Sequence, residues 1–236
     1  MPNITTCIAL DESYLPDDIR LFLTDKFQEI KSTHRLRTYI PPEWPLPDVL
    51  DHLVYKSSGQ FIYASTVIHY VTSIRHKPTD RLDIVLAIHP PQKDLPFAEL
   101  DALYTHIFTG VEEIEPVLEI LSLVLLSNPH SLRLPTIEEF LSLQPGDVEV
   151  YLGDLSSLLN IGPDQRINIL HASLTDFFLD PTCSKELWIN PPARHTALAC
   201  RCLQLLQLTG KKHCPFNNIP IDIPKRNCRN IMVRFS

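Results

Sequence analysis

The chain has 236 residues, 44% of them hydrophobic, with a formal net charge of −7. That length suffices for one large or two small domains with real cores, and the apolar content is that of a soluble globular class. Twenty-one prolines against six glycines favour helices broken by rigid connections over sandwiches or collagen-like repeats, and the most apolar run, Ile120 to Leu126, is far too short to span a bilayer.

The first elements in the chain are these. Ile4 to Leu10 is a short apolar, strand-like run that cannot bury itself without a sheet, and the rest of the chain does not otherwise suggest one. Asp17 and Asp18 open a helix whose Ile19, Phe22, Leu23, Phe27 and Ile30 share one face, with the acidic residues suited to the helix dipole. Residues 31–47 are polar and then Pro-rich around Trp44, which predicts an ordered loop. Asp48 starts a helix with Val49, Leu50, Leu53 and Val54, interrupted at Gly59. Phe61 to Val71 is apolar nearly all round; a buried helix is expected, and its β-branched content permits a buried strand. Asp80 to Ile88 is a further short helix, closed by Pro90-Pro91.

A second unit is expected from Pro96. Leu100, Leu103, Tyr104, Ile107 and Phe108 define one amphipathic helix; Val117, Leu118, Leu121, Val124 and Leu125 define the next, opened by Pro116. Thr136 and Glu139 have capping-box spacing before Phe140 and Leu141. Asp147 is positioned to cap a helix carrying Val148, Tyr151, Leu152, Leu155, Leu158 and Leu159. Two alternating runs, Leu159/Ile161 and Ile167/Ile169, flank Gly162-Pro163-Asp164-Gln165, a hairpin signal. His171-Ala172-Ser173 then leads into a helix with Leu174, Phe177 and Phe178. Helix, hairpin, helix is the end of a winged-helix domain, and the His171 side chain is expected to point off the end of the sheet. After Leu187-Trp188-Ile189, a last helix is expected over Ala193 to Leu208, ended by Gly210.

Charge and cysteine usage exclude several functions. Residues 97–181 hold two basic and fourteen acidic residues, a net of −12; residues 182–236 carry a net of +7. DNA affinity rests on Lys and Arg neutralising phosphates, whereas the helix that would enter a groove carries Asp147, Glu149 and Asp154, so no DNA partner is expected. The six cysteines (7, 183, 200, 202, 214, 228) lack framework spacing and read as reduced cytosolic thiols, giving a cytoplasmic expectation. His195, Cys200, Cys202, His213 and Cys214 invite a zinc reading, but Cys200 and Cys202 are two apart on a helix and point to different faces. His171 and Asp176 lie five apart on one segment and build no triad; no catalytic residue and no metal ligand is assigned.

The order of these segments resembles the fungal NACHT-type signalling NTPases of the STAND class. Asp17-Asp18-Ile19 with Leu23 is similar to their "DI..FL" segment, and Lys56-Ser57-Ser58-Gly59-Gln60-Phe61-Ile62-Tyr63-Ala64-Ser65-Thr66-Val67-Ile68 to their helical-lid signature. Leu100-Asp101-Ala102-Leu103-Tyr104, Gln144-Pro145-Gly146-Asp147-Val148 and Leu170-His171-Ala172-Ser173-Leu174-Thr175-Asp176-Phe177-Phe178 are similar to their winged-helix segments. The resemblance spans residues 4–208.

It implies a mainly α chain: a remnant strand of a missing NTPase core (1–14), a helical lid region (15–92), a winged-helix domain with a small β-hairpin (96–181), and the start of a downstream helical region, truncated or disordered at its end (182–236). In the family, lid and winged helix close over ADP or ATP held by a P-loop core. A winged-helix histidine, matched here by His171, reaches the diphosphate in the resting state. The lid's glycine motif matches at Gly59 to Phe61, with Phe61 where a proline is usual; Leu174 replaces a more usual phenylalanine. The 236 residues contain no Gly-x-x-x-x-Gly-Lys-Ser/Thr, and no acidic pair after a strand to hold Mg²⁺. The expectation is therefore a regulatory part of a nucleotide-dependent switch in signalling or self-defence, not itself an enzyme. It needs no cofactor alone and partners an upstream P-loop core, with homo-oligomer formation as a further expectation. Residues 4–10 and 59–71 are expected to contact that core. A non-enzymatic helical protein-interaction module with no nucleotide role is the alternative.

Overall fold

The structure, a computed structural model, describes residues 15–90, 97–127 and 132–209. It is mainly helical with one small two-stranded antiparallel sheet. The chain divides into two compact units between Leu103 and Tyr104. The boundary expected near 92–96, the strand-like run 4–10 and the stop at Gly210 lie outside the described residues.

The first unit is built on helices α1 (Leu15–Thr33), α2 (Pro47–Ser57), α3 (Phe61–Val71) and α4 (Pro78–Ala87). Pro47 and Pro78 stand in the first turns of α2 and α4, where a missing N–H costs nothing and a preset φ favours the helix. The predicted face of α1 is the buried one: Ile19, Leu23, Phe27 and Ile30 pack against α2 and α3, and the Phe27 ring meets the edge of Trp44 at 5.1 Å. The 61–71 run resolves to helix. Tyr63, Ala64, Thr66, Val67, Ile68, Tyr70 and Val71 are all buried, because α3 touches α1, α2 and α4. The expectation that 59–71 presents an apolar surface to another domain is thereby corrected: neighbouring helices of the same unit cover most of it, and Phe61 is its one exposed large apolar side chain.

The second unit takes up the end of α5 (Ala98–Thr109), then α6 (Ile114–Leu126), α7 (Leu134–Leu141), α8 (Asp147–Leu152), β1 (Leu159–Ile161), β2 (Ile167–Ile169), α9 (Ser173–Leu179), α10 (Pro181–Ser184) and α11 (Pro191–Thr209). Its core is aromatic. Tyr104 and Phe108 meet Phe177 and Phe178 edge-on at 5.4 and 4.8 Å, and Phe140 is fully buried. Edge-to-face pairs at such separations add to the energy of area burial. The hairpin register pairs Leu159 with Ile169 and Ile161 with Ile167. A Cβ at Gly162 would lie 2.7 Å from Asp164 Oδ1 and 3.0 Å from Asn168 Nδ2, so glycine lets the turn close this tightly.

Two helix starts and one helix end differ from expectation. α7 begins at Leu134, with Arg133 at its N-cap and no side-chain cap, because Pro135 in the first turn moves nucleation ahead of Thr136. Thr136 and Glu139 therefore form no capping box. Gly146, not Asp147, is the N-cap of α8; Asp147 Oδ2 instead accepts from Gln144 N–H at 2.7 Å. The Val148 helix stops at Leu152, where a 3-10 turn over Gly153–Leu155 tightens the chain before the hairpin.

Candidate functional site

Gly59 and Phe61 flank one turn of the first unit. Ser58 and Gly59 both have positive φ (46° and 77°), and Gln60 N–H closes the turn on Ser57 O at 2.7 Å. A Cβ at Gly59 would meet nothing within 4 Å, so the glycine serves backbone conformation and not a close approach. Phe61 opens α3 and sets its ring edge-on to Phe22 at 5.7 Å, leaving 41% of the residue exposed.

Beside this turn lies a feature that sequence reasoning missed. Lys56, in the last turn of α2, is buried. Its ammonium donates to Ile88 O and lies 3.1 Å from Glu99 Oε2. Both groups line a cavity of about 190 Å³ together with Ser58, Gln60, Tyr63 and Phe97. The Tyr63 hydroxyl titrates well above the ordinary tyrosine range, first because burial disfavours the phenolate and second because the Glu99 carboxylate repels it. Lys56 falls within the lid-like signature, but nothing local announces that its partner is 43 residues away.

His171 belongs to the second unit. It follows β2, accepts from Leu174 N–H at 3.1 Å through its carbonyl, and so stands at the point where strand becomes helix α9. The residue is half-buried and its Nε2 is shielded from solvent, rather than projecting freely off the sheet. Two residues on, Ser173 Oγ and the Tyr104 hydroxyl lie 3.0 Å apart, which ties the start of α9 to α5.

The cysteine expectation is partly corrected. Cys183 and Cys200 are not in a disulfide, but Cys202 is disulfide-bonded. Spacing alone could not reveal that bond, since a disulfide depends on Cα atoms brought within about 7 Å by the fold. Among the described residues, no group of three or more His, Cys, Asp or Glu side chains could hold a metal ion. No helix of the described residues is long and apolar enough to cross a membrane. No protein-family model, curated protein or solved structure matches this chain.

Proposed function

We propose that this chain is the helical-lid and winged-helix part of a NACHT-type nucleotide-dependent switch in signalling or self-defence, and is not itself an NTPase. The observation that carries the reading is the position of His171 between β2 and α9, in a unit ordered helix, helix, helix, short helix, hairpin, helix. That order is the one a winged helix has, and a donor at the junction of hairpin and last helix is where a docked diphosphate would be met. In the first unit, taken by itself, the residues of the lid-like turn fit a nucleotide in part. The exposed Phe61 ring offers a face for stacking a base, and the open side of Gly59 leaves room beside it. Lys56, the cation nearest that turn, is already held by Glu99 and Ile88 O and is not a phosphate ligand here. A bound nucleotide would supply the negative charge that distinguishes the closed state; the chain's own part is to donate to it from His171 when docked. A contact made only in one state shifts the population between states.

The test compares the chain alone with the chain joined to an upstream P-loop core of the NACHT kind. The expected result is no ATP turnover and no ADP binding tighter than about millimolar for the chain alone, with tight ADP retention restored by the core. An added core that binds ADP equally well without this chain overturns the reading. A second reading, a helical protein-interaction module, is favoured by Tyr55, Tyr39 and Ile74, large side chains that the first unit leaves mostly exposed. It predicts that the core has no effect at all.

A further inference from the structure

In the second unit, α6, α7 and α11 enclose a cleft of about 470 Å³ that the proposed switch does not use. Its construction follows from one stripe of α11. Arg194, Ala197, Leu198, Arg201 and Gln204 recur at three- and four-residue spacing and so share a face. Arg194 and Arg201 are two helical turns apart, about 10 Å along the axis. Leu198 and the fully buried Phe140 form an apolar floor, while Ala197 is exposed at the mouth.

The two arginines are in different states. Arg201 is braced: its Nε donates to Phe140 O at 2.9 Å and its Nη2 to Ser142 Oγ at 2.8 Å, so its position is preset. Arg194 is half-buried, and its guanidinium makes no hydrogen bond or ion pair with the described residues. Glu119, on the α6 side, likewise holds no ion pair among them. The cleft thus carries one more positive than negative charge, where α11 packs against helices of the strongly acidic stretch 97–181. A guanidinium free to form a forked pair above an apolar floor suits a planar carboxylate with an apolar body. The volume falls within the range of small-molecule pockets, about 300–1,000 Å³, and an apolar lining with a few convergent polar groups is their common form.

We infer that this cleft is a binding site for a small amphipathic carboxylate, with its charged end on Arg194 and its apolar body over Phe140 and Leu198. Cys200 lines the same cleft as a half-buried thiol outside any disulfide and so reports on its occupancy; Cys183 is a thiol, likewise not in a disulfide, outside the cleft.

The test uses the full chain, with 1-naphthaleneacetate as probe and its neutral amide as control. Binding is read by calorimetry, and alkylation of Cys200 and Cys183 by iodoacetamide is followed by peptide mass. The acid is expected to saturate and to slow Cys200 alkylation roughly tenfold or more while leaving Cys183 unchanged. The amide and Arg194→Ala should each weaken binding roughly ten- to hundredfold, the range of one charge-assisted contact. Arg194→Lys should restore part of the loss, because it keeps the charge without the fork. Ala197→Trp, at the exposed mouth, should block the probe without unfolding the chain, as circular dichroism would verify. No saturation below about 1 mM, equal binding of acid and amide, or full binding by a folded Arg194→Ala chain would each overturn the assignment.

Discussion

Lys56 Nζ lies 3.1 Å from Glu99 Oε2, with the lysine side chain 2% exposed and the glutamate 24%. A charge so far from water is tolerated because its partner and the Ile88 carbonyl replace the hydration it lost. Removing one partner leaves the other charge uncompensated. Glu99→Ala is expected to destabilise the first unit by roughly 3 kcal/mol, the lower end for a buried pair because the glutamate keeps some water. Lys56→Met with Glu99→Leu should recover most of that loss, since a packed apolar pair has no desolvation to repay. Urea unfolding followed by Trp44 fluorescence in a Trp188→Phe background isolates this unit. Equal stability of Glu99→Ala and the parent would show the pair to be energetically idle.

The same carboxylate faces Tyr63. Its folded-state hydroxyl titrates above the unfolded value of 10.0, for reasons of burial and then Glu99. A raised folded value means that the folded state binds its proton more tightly than the unfolded state does. The associated stability is complete below the unfolded value and is lost as pH rises through the folded one. The first unit should therefore lose urea resistance above about pH 10, and Tyr63→Phe should flatten that decline. A decline of equal steepness in the variant would assign it to other groups.

Phe178 is fully buried and meets Phe108 at 4.8 Å and Phe177 at 5.3 Å. Phe178→Ala should cost the second unit roughly 3–5 kcal/mol through lost transfer energy and the cavity left behind. Phe178→Leu should cost less than half of that, because more of the volume is retained. Thermal unfolding read through Trp188 distinguishes the two; equal losses would mean that ring geometry, not volume, sets the penalty.

For His171 the prediction follows from the proposed switch and is made in the chain joined to a P-loop core of the NACHT kind. A donor to a diphosphate oxygen contributes about 1.5–3 kcal/mol when charged. His171→Ala should weaken ADP retention roughly ten- to hundredfold and shift the population toward the open form. His171→Leu should do the same without leaving a cavity, which separates a lost phosphate contact from lost packing. If either variant unfolds the second unit while ADP affinity per folded molecule is unchanged, the histidine is structural.

Much of the helical architecture was legible because it is local. The face of α1 defined by Ile19, Leu23, Phe27 and Ile30 could be read from a 3.6-residue period, and the hairpin from alternation around Gly162-Pro163-Asp164-Gln165. The misreadings were also local in origin. Thr136 and Asp147 have cap chemistry, but Pro135 and the positive φ of Gly146 (95°) decide where α7 and α8 begin. Three-residue spacing cannot weigh a proline's preset φ against a hydroxyl's hydrogen bond.

What the amino-acid sequence determined by itself, then, is the helical phase of most long elements, the single turn that makes the hairpin, and the net charge of −12 over residues 97–181. Only the tertiary structure decided that Lys56 is neutralised by Glu99, that Arg201 is braced by Phe140 O and Ser142 while Arg194 is left without such a partner, and that Cys202 is oxidised while Cys200 is not. Periodicity is set by the backbone geometry of a few consecutive residues. A charge pair or a braced guanidinium is set by which distant segments share a core, and that follows from packing many side chains at once.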